Sequence, residues 1–571
     1  MIAVSSRRRI VKCSDRRVNP IRRRYTEVAL ADPVLAELTA PGAPFEIVAD
    51  ARGRRFAAAL DDLDTLIETA RRHGDATFLV EGDTRLSFAE TFSRRDSLAA
   101  QLGVVPGDRV AIAMRNGIPW IIAVLAVMHS GAVAVLVNSR NAGEEMRAAI
   151  EDAEVALVLA DTARGAALKD AGYVGRILFA DDFATSGSFN RTEPPAQPDD
   201  PCAILFTSGT TGRSKGAVLT HRNLVTGLMC VQLSGAMVVR NIAQQYGITP
   251  EQVMAGRPQP TSLLVFPLFH ISGLGAGLLS QLLIGGKIVI MRRWDVAEAL
   301  RLIAAEKVTM LSAVPTMLWD LLNKAVPGEA DISSLTNVAS GGQGLPLNLL
   351  AAVQGAMPRA FLGTGFGLTE TAGAVAMATG PDFLRQPGSS GRVLALADVR
   401  VHGEDGAVLP TGSTGEIAVR GPMVMAGYWN RPQETAEVLD AEGWFRTGDI
   451  GYVDDEGYIF IVDRKKDMVI SGGENIYCAE VERVIGSLAN VAEVAAFGLP
   501  DDRMGERLVT VIVGHGLTAD SVCSHVAEHL AAYKTPTQVA FSAEPLPRNA
   551  VGKIDKITLR RRWPQLTGVS A

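Results

Sequence analysis

An apolar stretch, Ala203-Ile204-Leu205-Phe206, runs directly into TSGTTGRSKG, Thr207 to Gly216. The stretch reads as a buried strand, and the ten residues after it read as a loop built to hold phosphate. Glycines let backbone N–H groups approach an anion closely. Thr207, Ser208, Thr210 and Thr211 add hydroxyl donors, and Lys215 adds positive charge. The spacing is not that of a Walker loop. Counted from Gly209, Gly212 comes too early and Gly216 follows Lys215. A strand that opens onto an anion site at its carboxyl end belongs in an open α/β sheet.

The rest of the chain agrees with that layout. Leu60 to Arg72 reads as an amphipathic helix, Thr77 to Glu81 as a strand, Arg109 to Met114 as a strand, Glu144 to Asp152 as a helix and Ala156 to Leu159 as a strand. After the loop the pattern resumes, with strands near Leu263 to Phe266 and Lys287 to Ile290 and a helix over Val296 to Glu306. Such alternation predicts parallel sheets. Residues 391–462 change texture, with turns at GEDG, PTGSTGE and DDEG, and predict a β meander or small barrel. A charged cluster, Asp463 to Asp467, marks a boundary. Beyond it, strands over Val491 to Phe497 and Leu508 to Val513 and a helix over Ser521 to Tyr533 predict a mixed α/β unit.

A net charge of -6 with no basic face gives nucleic acid nothing to grip. The five cysteines are scattered, with no C-x-x-C pair, as expected of reduced thiols in the cytoplasm. No segment reads as membrane-spanning. The most apolar one, Ile118 to Val137, holds Pro119, His129 and Gly131 and predicts a buried helix, a turn and a buried strand. Up to Arg24 the chain carries eight arginines and Lys12 against Asp15 alone. Residues 1–45 are expected to be a basic, disordered extension outside the fold.

Further glycine-rich segments end apolar runs. His270 lies in VFPLFHIS, with Gly273, Gly275 and Gly277 after it permitting close backbone approach. SGGQGLP (Ser340–Pro346) and GTGFGLTE (Gly363–Glu370) have the same character. His525 and His529 sit at i, i+4 with Cys523 nearby and read as a solvated helix face rather than a metal site.

These segments, in this order, resemble the adenylate-forming superfamily of acyl-CoA synthetases, aryl-CoA ligases, luciferases and peptide-synthetase adenylation domains. The matching run is the loop at Thr207–Gly216, then Thr369-Glu370, then RTGD ending in Asp449, then DRKKD with Arg464 and Lys466, then Gly472-Gly473-Glu474, then Gly552-Lys553. It covers about residues 50–560. The resemblance implies an N-terminal domain (46–463) of two Rossmann-like α/β subdomains plus a small β-barrel-like subdomain. A smaller, mobile α+β C-terminal domain (464–571) comes after it. The resemblance also implies that Thr207, Ser208, Gly209, Thr210, Thr211, Gly212 and Lys215 hold the ATP phosphates, with Gly342, Gln343, Thr364, Gly365 and Gly367 around the nucleotide. Phe366 would stack on adenine, Thr369 would bond phosphate and Glu370 would hold Mg²⁺, a hard cation suited to oxygen donors. Asp449 would take the ribose hydroxyls, Arg464 a ribose and phosphate contact, and Lys466 the hinge. Gly472, Gly473 and Glu474 would line the coenzyme A tunnel, and Lys553 would be the catalytic lysine. His270, Gly273, Leu274, Ala313, Gly341, Gly365 and Ala372 would bound the acyl pocket. The family's usual Tyr is Phe366 here, and its usual Pro after the Gly-Gly-Glu loop is Cys478.

The activity so implied is ATP-dependent, AMP-forming acid–CoA ligation using Mg²⁺, ATP and coenzyme A. The pocket positions carry no lysine or arginine to pair a second carboxylate, so a hydrophobic monocarboxylic acid is expected, a fatty acid first and an aryl or steroid-type acid next. Loading of a carrier protein stays open as an alternative acceptor. A nucleotide-binding regulator without catalysis is the rival from another class, and a homodimer is a plausible assembly.

Overall fold

Short, mostly apolar strands, many of them followed by helices, build two mainly parallel sheets. The computed structural model describes residues 32–50, 53–189, 196–207, 214–324, 331–341, 347–472, 474–488, 490–549 and 553–567. The first parallel sheet contains β3 (Arg109–Ala113), β4 (Val133–Leu136), β5 (Leu157–Ala160), β6 (Ile177–Phe179), β7 (Pro201–Thr207) and β8 (Lys215–Thr220). The second is edged by β1 (Thr77–Glu81) and β2 (Thr84–Ser87). It continues through β9 (Thr261–Leu264), β10 (Lys287–Ile290), β11 (Met310–Ala313), β12 (Asn337–Gly341), β13 (Phe361–Leu368) and β14 (Gly373–Thr379). The strand pairs β3–β4, β3–β5, β4–β7 and β5–β6 are parallel, and β8 turns back antiparallel on β7.

The core between the sheets is built on helices with little polar surface. Helix α1 (Ile118–His129) buries eleven of its residues, Trp120 among them, so it is apolar on every side. Helix α2 (Thr162–Asp170) follows β5. Helix α3 (His221–Tyr246) follows β8 and starts at a capping box between Thr220 and Asn223. By length and composition α3 alone among the described residues could span a membrane, which sequence periodicity did not signal. Its first ten residues are almost wholly buried against protein.

The β-rich region forms an antiparallel meander of β15 (Asp398–His402), β16 (Gly415–Arg420), β18 (Phe445–Val453) and β19 (Ile459–Arg464). Between β16 and β18 the chain leaves this meander, and the two-residue strand β17 (Gly427–Tyr428) joins the first parallel sheet beside β8. The C-terminal unit holds β20 (Val469–Ser471), β21 (Glu474–Ile476), β22 (Val491–Asp501), β23 (Gly505–Gly514) and β24 (Gln538–Phe541).

Three boundaries differ from those the sequence predicts. The expected extension over 1–45 is too long, because Pro33–Thr39 is a helix capped by Asp32, with Val34 and Leu35 buried. Asp32 also pairs with Arg392 at 3.0 Å. Residues 1–31 lie outside the described residues. The helix expected over 60–72 is α-helical only over Leu63–Glu68, capped by Asp62, and tightens to a 3₁₀ turn over Thr69–His73. The helix expected to reach Tyr533 stops at His529, where Leu530 turns extended. Arg464 closes β19, so the break between domains falls at the turn 465–467 just after it.

Candidate active site

The carboxyl ends of β7, β12 and β13 and the hairpin of β18 and β19 supply most of the expected residues. Thr207 ends β7 and pairs across to Lys215, the first residue of β8. Ser208, Gly209, Thr210, Thr211 and Gly212 lie outside the described residues, as do Gly342, Gln343 and Gly473. The Lys215 ammonium is held at 2.6 Å by Glu434 and lies 5.1 Å over the Tyr428 ring.

Tyr428 ties this loop to the next motif. Its hydroxyl donates to Glu370 Oε1 at 2.9 Å. Burial, and then the adjoining Glu370 carboxylate, push the phenol far above its ordinary range, so it stays a donor. Glu370 and Thr369 sit on a buried 3₁₀ turn, Thr369–Thr371, at the end of β13. The turn is pinned by Thr371, whose hydroxyl donates to the Gly373 carbonyl at 2.8 Å. Gly367 is required there, because a Cβ would stand 1.9 Å from the Gly373 oxygen. Thr364 and Phe366 are buried on β13 beside it, Phe366 within the large core and Gly367 open next to it.

Asp449 and Arg464 are directly opposed across β18 and β19, and Arg464 Nε lies 2.6 Å from Asp449 Oδ1. The second oxygen, Asp449 Oδ2, is buried with no hydrogen-bond partner among the described residues. Burial pushes the Asp449 carboxyl up to about 6 against the pull of Arg464 and Lys553. Lys553 comes from the C-terminal domain, in the turn before helix Lys556–Thr567, where its N–H is held by Asn549 Oδ1 at 3.0 Å. Burial, and then the Arg464 charge, lower its ammonium to about 8. Burial and then the Lys553 charge lower His270 to about 4, so the imidazole is neutral. Lys553 is thus within electrostatic reach of Asp449, Arg464, Lys466 and His270 together.

His270 is the first of the residues expected at the acyl pocket. It precedes a π-helix, Ser272–Leu279, a rare form often found at functional positions. Gly273 is forced by a close approach, since a Cβ there would meet the Pro267 oxygen at 2.1 Å. Gly275 and Gly341 are different. Among the described residues, a Cβ at Gly275 would meet only Ile271 Cδ1 at 4.0 Å, and one at Gly341 only Phe266 Cζ at 3.9 Å. Their missing side chains leave space unfilled. Leu274, Ala313 and Ala372 are buried. Gly472, in left-handed conformation between β20 and β21, donates its N–H to the Met504 carbonyl, and Glu474 is exposed. Lys466 is exposed in the turn between domains.

The site fits Mg-ATP on its own chemistry. An orphaned, buried carboxylate oxygen at Asp449 suits ribose hydroxyl donors. A buried Glu370 carboxylate with one oxygen fixed by Tyr428 leaves the other for a hard cation, beside the Thr369 hydroxyl.

Residues 66–429 match the AMP-binding enzyme family, and residues 480–553 match the AMP-binding enzyme C-terminal domain. The chain belongs to the AMP-binding enzyme family. Among similar proteins, this family member is 35% identical over 530 residues to a 3-[(3aS,4S,7aS)-7a-methyl-1,5-dioxo-octahydro-1H-inden-4-yl]propanoyl:CoA ligase of Rhodococcus jostii (strain RHA1), covering 87% of this chain and 97% of that one. It is 37% identical over 516 residues to a feruloyl-CoA synthase of Amycolatopsis sp, covering 87% and 98%. A solved structure of o-succinylbenzoate coenzyme A synthetase from Bacillus subtilis, in complex with ATP and magnesium ion, superposes with a TM-score of 0.72 at 31% identity, covering 88% of this chain and 99% of that one.

Tyr428, Glu434 and Asn116 are site residues that sequence reasoning misses. Asn116 Nδ2 donates to the Phe266 carbonyl at 2.8 Å and its Oδ1 accepts from Leu268 N–H at 2.9 Å, bracing the turn into His270. Tyr428 is 58 positions from Glu370, and nothing local to either signals the contact.

Proposed function

We propose that this AMP-binding enzyme activates a bulky hydrophobic monocarboxylic acid and transfers its acyl group to coenzyme A. At the coarser level the activity is AMP-forming acid–CoA ligation, with ATP, Mg²⁺ and coenzyme A as its small molecules. The observation that carries the reading is Lys553, delivered by the C-terminal domain to a point that feels both the ribose-side pair Asp449–Arg464 and the acyl-side His270.

A carboxylate is a poor acyl donor because oxide would have to leave. In the first half its oxygen attacks the α-phosphorus of ATP, an O–P bond forms, and pyrophosphate leaves. Negative charge shifts among phosphate oxygens, so the protein contributes position and electrostatics. Asp449 Oδ2 accepts from the ribose and fixes the nucleotide. Lys553, whose ammonium stays charged at neutral pH, offsets the negative charge that builds there. Lys215 exchanges Glu434 for phosphate. Magnesium held by Glu370 and phosphate oxygens would neutralise charge there.

In the second half the thiol of coenzyme A loses its proton to solvent, its sulfur bonds to the acyl carbon, and AMP leaves with the C–O electron pair. Neutral His270 stands beside that carbon and leaves the pocket uncharged. Lys553 serves the first half and the loop at Gly472 the second. Both sit after the turn at Lys466, so rotation about that turn exchanges them.

The acid is ring-bearing in this reading. A Cβ at Gly275 and one at Gly341 would each meet little among the described residues, and the two relatives named above act on ring-bearing acids by name. A long fatty acid is the second reading, favoured by the uncharged wall. Pyrophosphate release from Mg-ATP across hydroxycinnamates, benzoates, polycyclic propanoates and fatty acids, with and without coenzyme A, tests both. Coenzyme A-stimulated release confined to one class names the substrate. Release indifferent to coenzyme A overturns the acceptor assignment.

A further inference from the structure

Outside the site above, two groups of side chains among the described residues bring three metal-ligating residues together. They are Asp64, Glu68 and His129, and His525, Glu528 and His529. The first group already holds a cation. Arg95 is fully buried in it, with Nη1 2.5 Å from Glu68 Oε1 and 3.7 Å from Asp64 Oδ1, and Asp64 takes His129 Nδ1 at 2.9 Å. Its carboxylates are paired without a metal.

The second group has no such cation. It lies at the C-terminal end of helix α5 (Ala519–His529), which packs on helix α4 (Cys478–Ile485). The spacing i, i+3, i+4 puts the three side chains on one face of the last turn. One ligand atom from each lies within 4.8 Å of the others, and the two imidazole centroids are 4.4 Å apart. Glu528 is exposed, and no lysine or arginine among the described residues pairs with it.

Hydrogen bonds decide which ring nitrogens are left over. His525 Nε2 lies 3.2 Å from the Val484 carbonyl and 3.1 Å from Ser487 Oγ, and that hydroxyl donates its own proton to the same carbonyl at 2.6 Å. Neither oxygen has a proton to offer the ring, so Nε2 carries the hydrogen and Nδ1 keeps its lone pair. His529 Nδ1 lies 2.8 Å from the His525 carbonyl, which puts the hydrogen on Nδ1 and the lone pair on Nε2. Each imidazole therefore gives one N–H to a backbone carbonyl and keeps the other nitrogen as a neutral ligand. Metal-binding histidines use the same support, which fixes tautomer and ring orientation and raises basicity. The end carbonyls of α5 add partial negative charge that favours a cation.

We propose that His525 Nδ1, His529 Nε2 and the Glu528 carboxylate form a surface site for a divalent transition metal of the zinc class, with the remaining position left to water. Two imidazoles and a carboxylate suit Zn²⁺ better than the hard Mg²⁺ of the ATP site. The spacing of the two histidines alone reads as a solvated face; the third ligand and the two tautomers give that face a role. None of the three residues belongs to the ligation machinery, so the site stands or falls independently of it.

Zinc chloride is titrated calorimetrically into chelator-treated full-length protein, comparing wild type with His529→Ala and Glu528→Ala. Thermal melting is recorded with and without Zn²⁺. The expected result is one ion per chain in wild type and a Kd raised at least about tenfold in each variant, since even outer partners of metal ligands account for that much. Zn²⁺ should raise the melting temperature of wild type more than that of either variant, because it binds the folded form. Melting without Zn²⁺ should be the same in all three, which certifies the fold. Wild type that binds no Zn²⁺ overturns the proposal. An unchanged Kd in both variants also overturns it, and assigns the ion to the cysteine thiols or to the group at His129. So does half an ion per chain, which makes the metal a bridge between two copies.

Discussion

Arg464 Nε lies 2.6 Å from one oxygen of Asp449, while the other oxygen of the same carboxylate is buried and unpartnered among the described residues. The register of β18 against β19 places the two residues opposite one another. Arg464 holds one oxygen of the carboxylate and leaves the other as a free acceptor among the described residues. An unpaired buried acceptor is costly, so the arrangement is one that a ribose would complete.

Asp449→Ala removes that acceptor and leaves Arg464 without its partner. The KM for ATP in pyrophosphate exchange is expected to rise about 10- to 100-fold, the range for hydrogen bonds to a charged group. Wild-type affinity for ATP in this variant, measured by exchange or by nucleotide titration, removes Asp449 from the ribose site.

Lys553→Ala should slow acyl-AMP formation by roughly 10²-fold or more, by analogy with loss of one transition-state donor. Thioester formation from supplied acyl-AMP should be largely spared, because Lys553 serves only the first half. Single-turnover assays of each half check this. Equal losses in both halves contradict rotation about Lys466.

The pH dependence comes from the same two groups. Asp449 is raised to about 6, so it becomes a neutral acid below that value and loses its charge as an acceptor. Lys553 is lowered to about 8, so it loses its positive charge above that value. The kcat/KM for ATP, which reports the free enzyme, is expected to be bell-shaped with limbs near about 6 and about 8. In Lys553→Ala the alkaline limb should vanish and the acid limb remain. An alkaline limb that persists in the variant belongs to another group.

Tyr428→Phe frees Glu370 Oε1 from its only hydrogen bond among the described residues. Supporting partners of metal ligands commonly account for about 10- to 100-fold in affinity. The Mg²⁺ concentration for half-maximal exchange should rise within that range, with the acid KM unchanged. A magnesium titration indistinguishable from wild type shows that Tyr428 does not orient Glu370.

Gly275→Leu places a side chain in space where, among the described residues, only Ile271 Cδ1 stands within 4.0 Å of the added Cβ. Each methylene in a hydrophobic pocket carries about 1–3 kcal/mol, so kcat/KM for polycyclic and hydroxycinnamic acids should fall at least about tenfold. Propionate should be used no worse than before. Equal loss for small and large acids places Gly275 outside the acyl wall.

Much of the layout was legible in sequence because it rests on local signals. The strands 77–81, 109–113 and 287–290 and the helix 296–306 arise from apolar periodicity. The glycine- and hydroxyl-rich loops mark strand ends, and the meander is announced by its turns. Helix ends were less legible, because caps at Asp62 and an extended Leu530 decide them. The short helix 33–39 was hidden beside a strongly basic segment, and its place depends on burial of Val34 and Leu35 by distant elements.

The chain's residues alone determined which chemical groups are present: a phosphate loop, a Thr-Glu pair, a ribose-type aspartate, a lysine near the C-terminus and a pocket without a second cation. Tertiary structure decided which of them act together. Register put Arg464 on Asp449, a stray strand brought Tyr428 to Glu370, and domain docking brought Lys553 near His270. Local sequence encodes periodicity and backbone freedom, which act over a few residues. Pairings across tens to hundreds of positions depend on how sheets twist and dock, and desolvation, which sets the charge state of each group, exists only once the chain has packed.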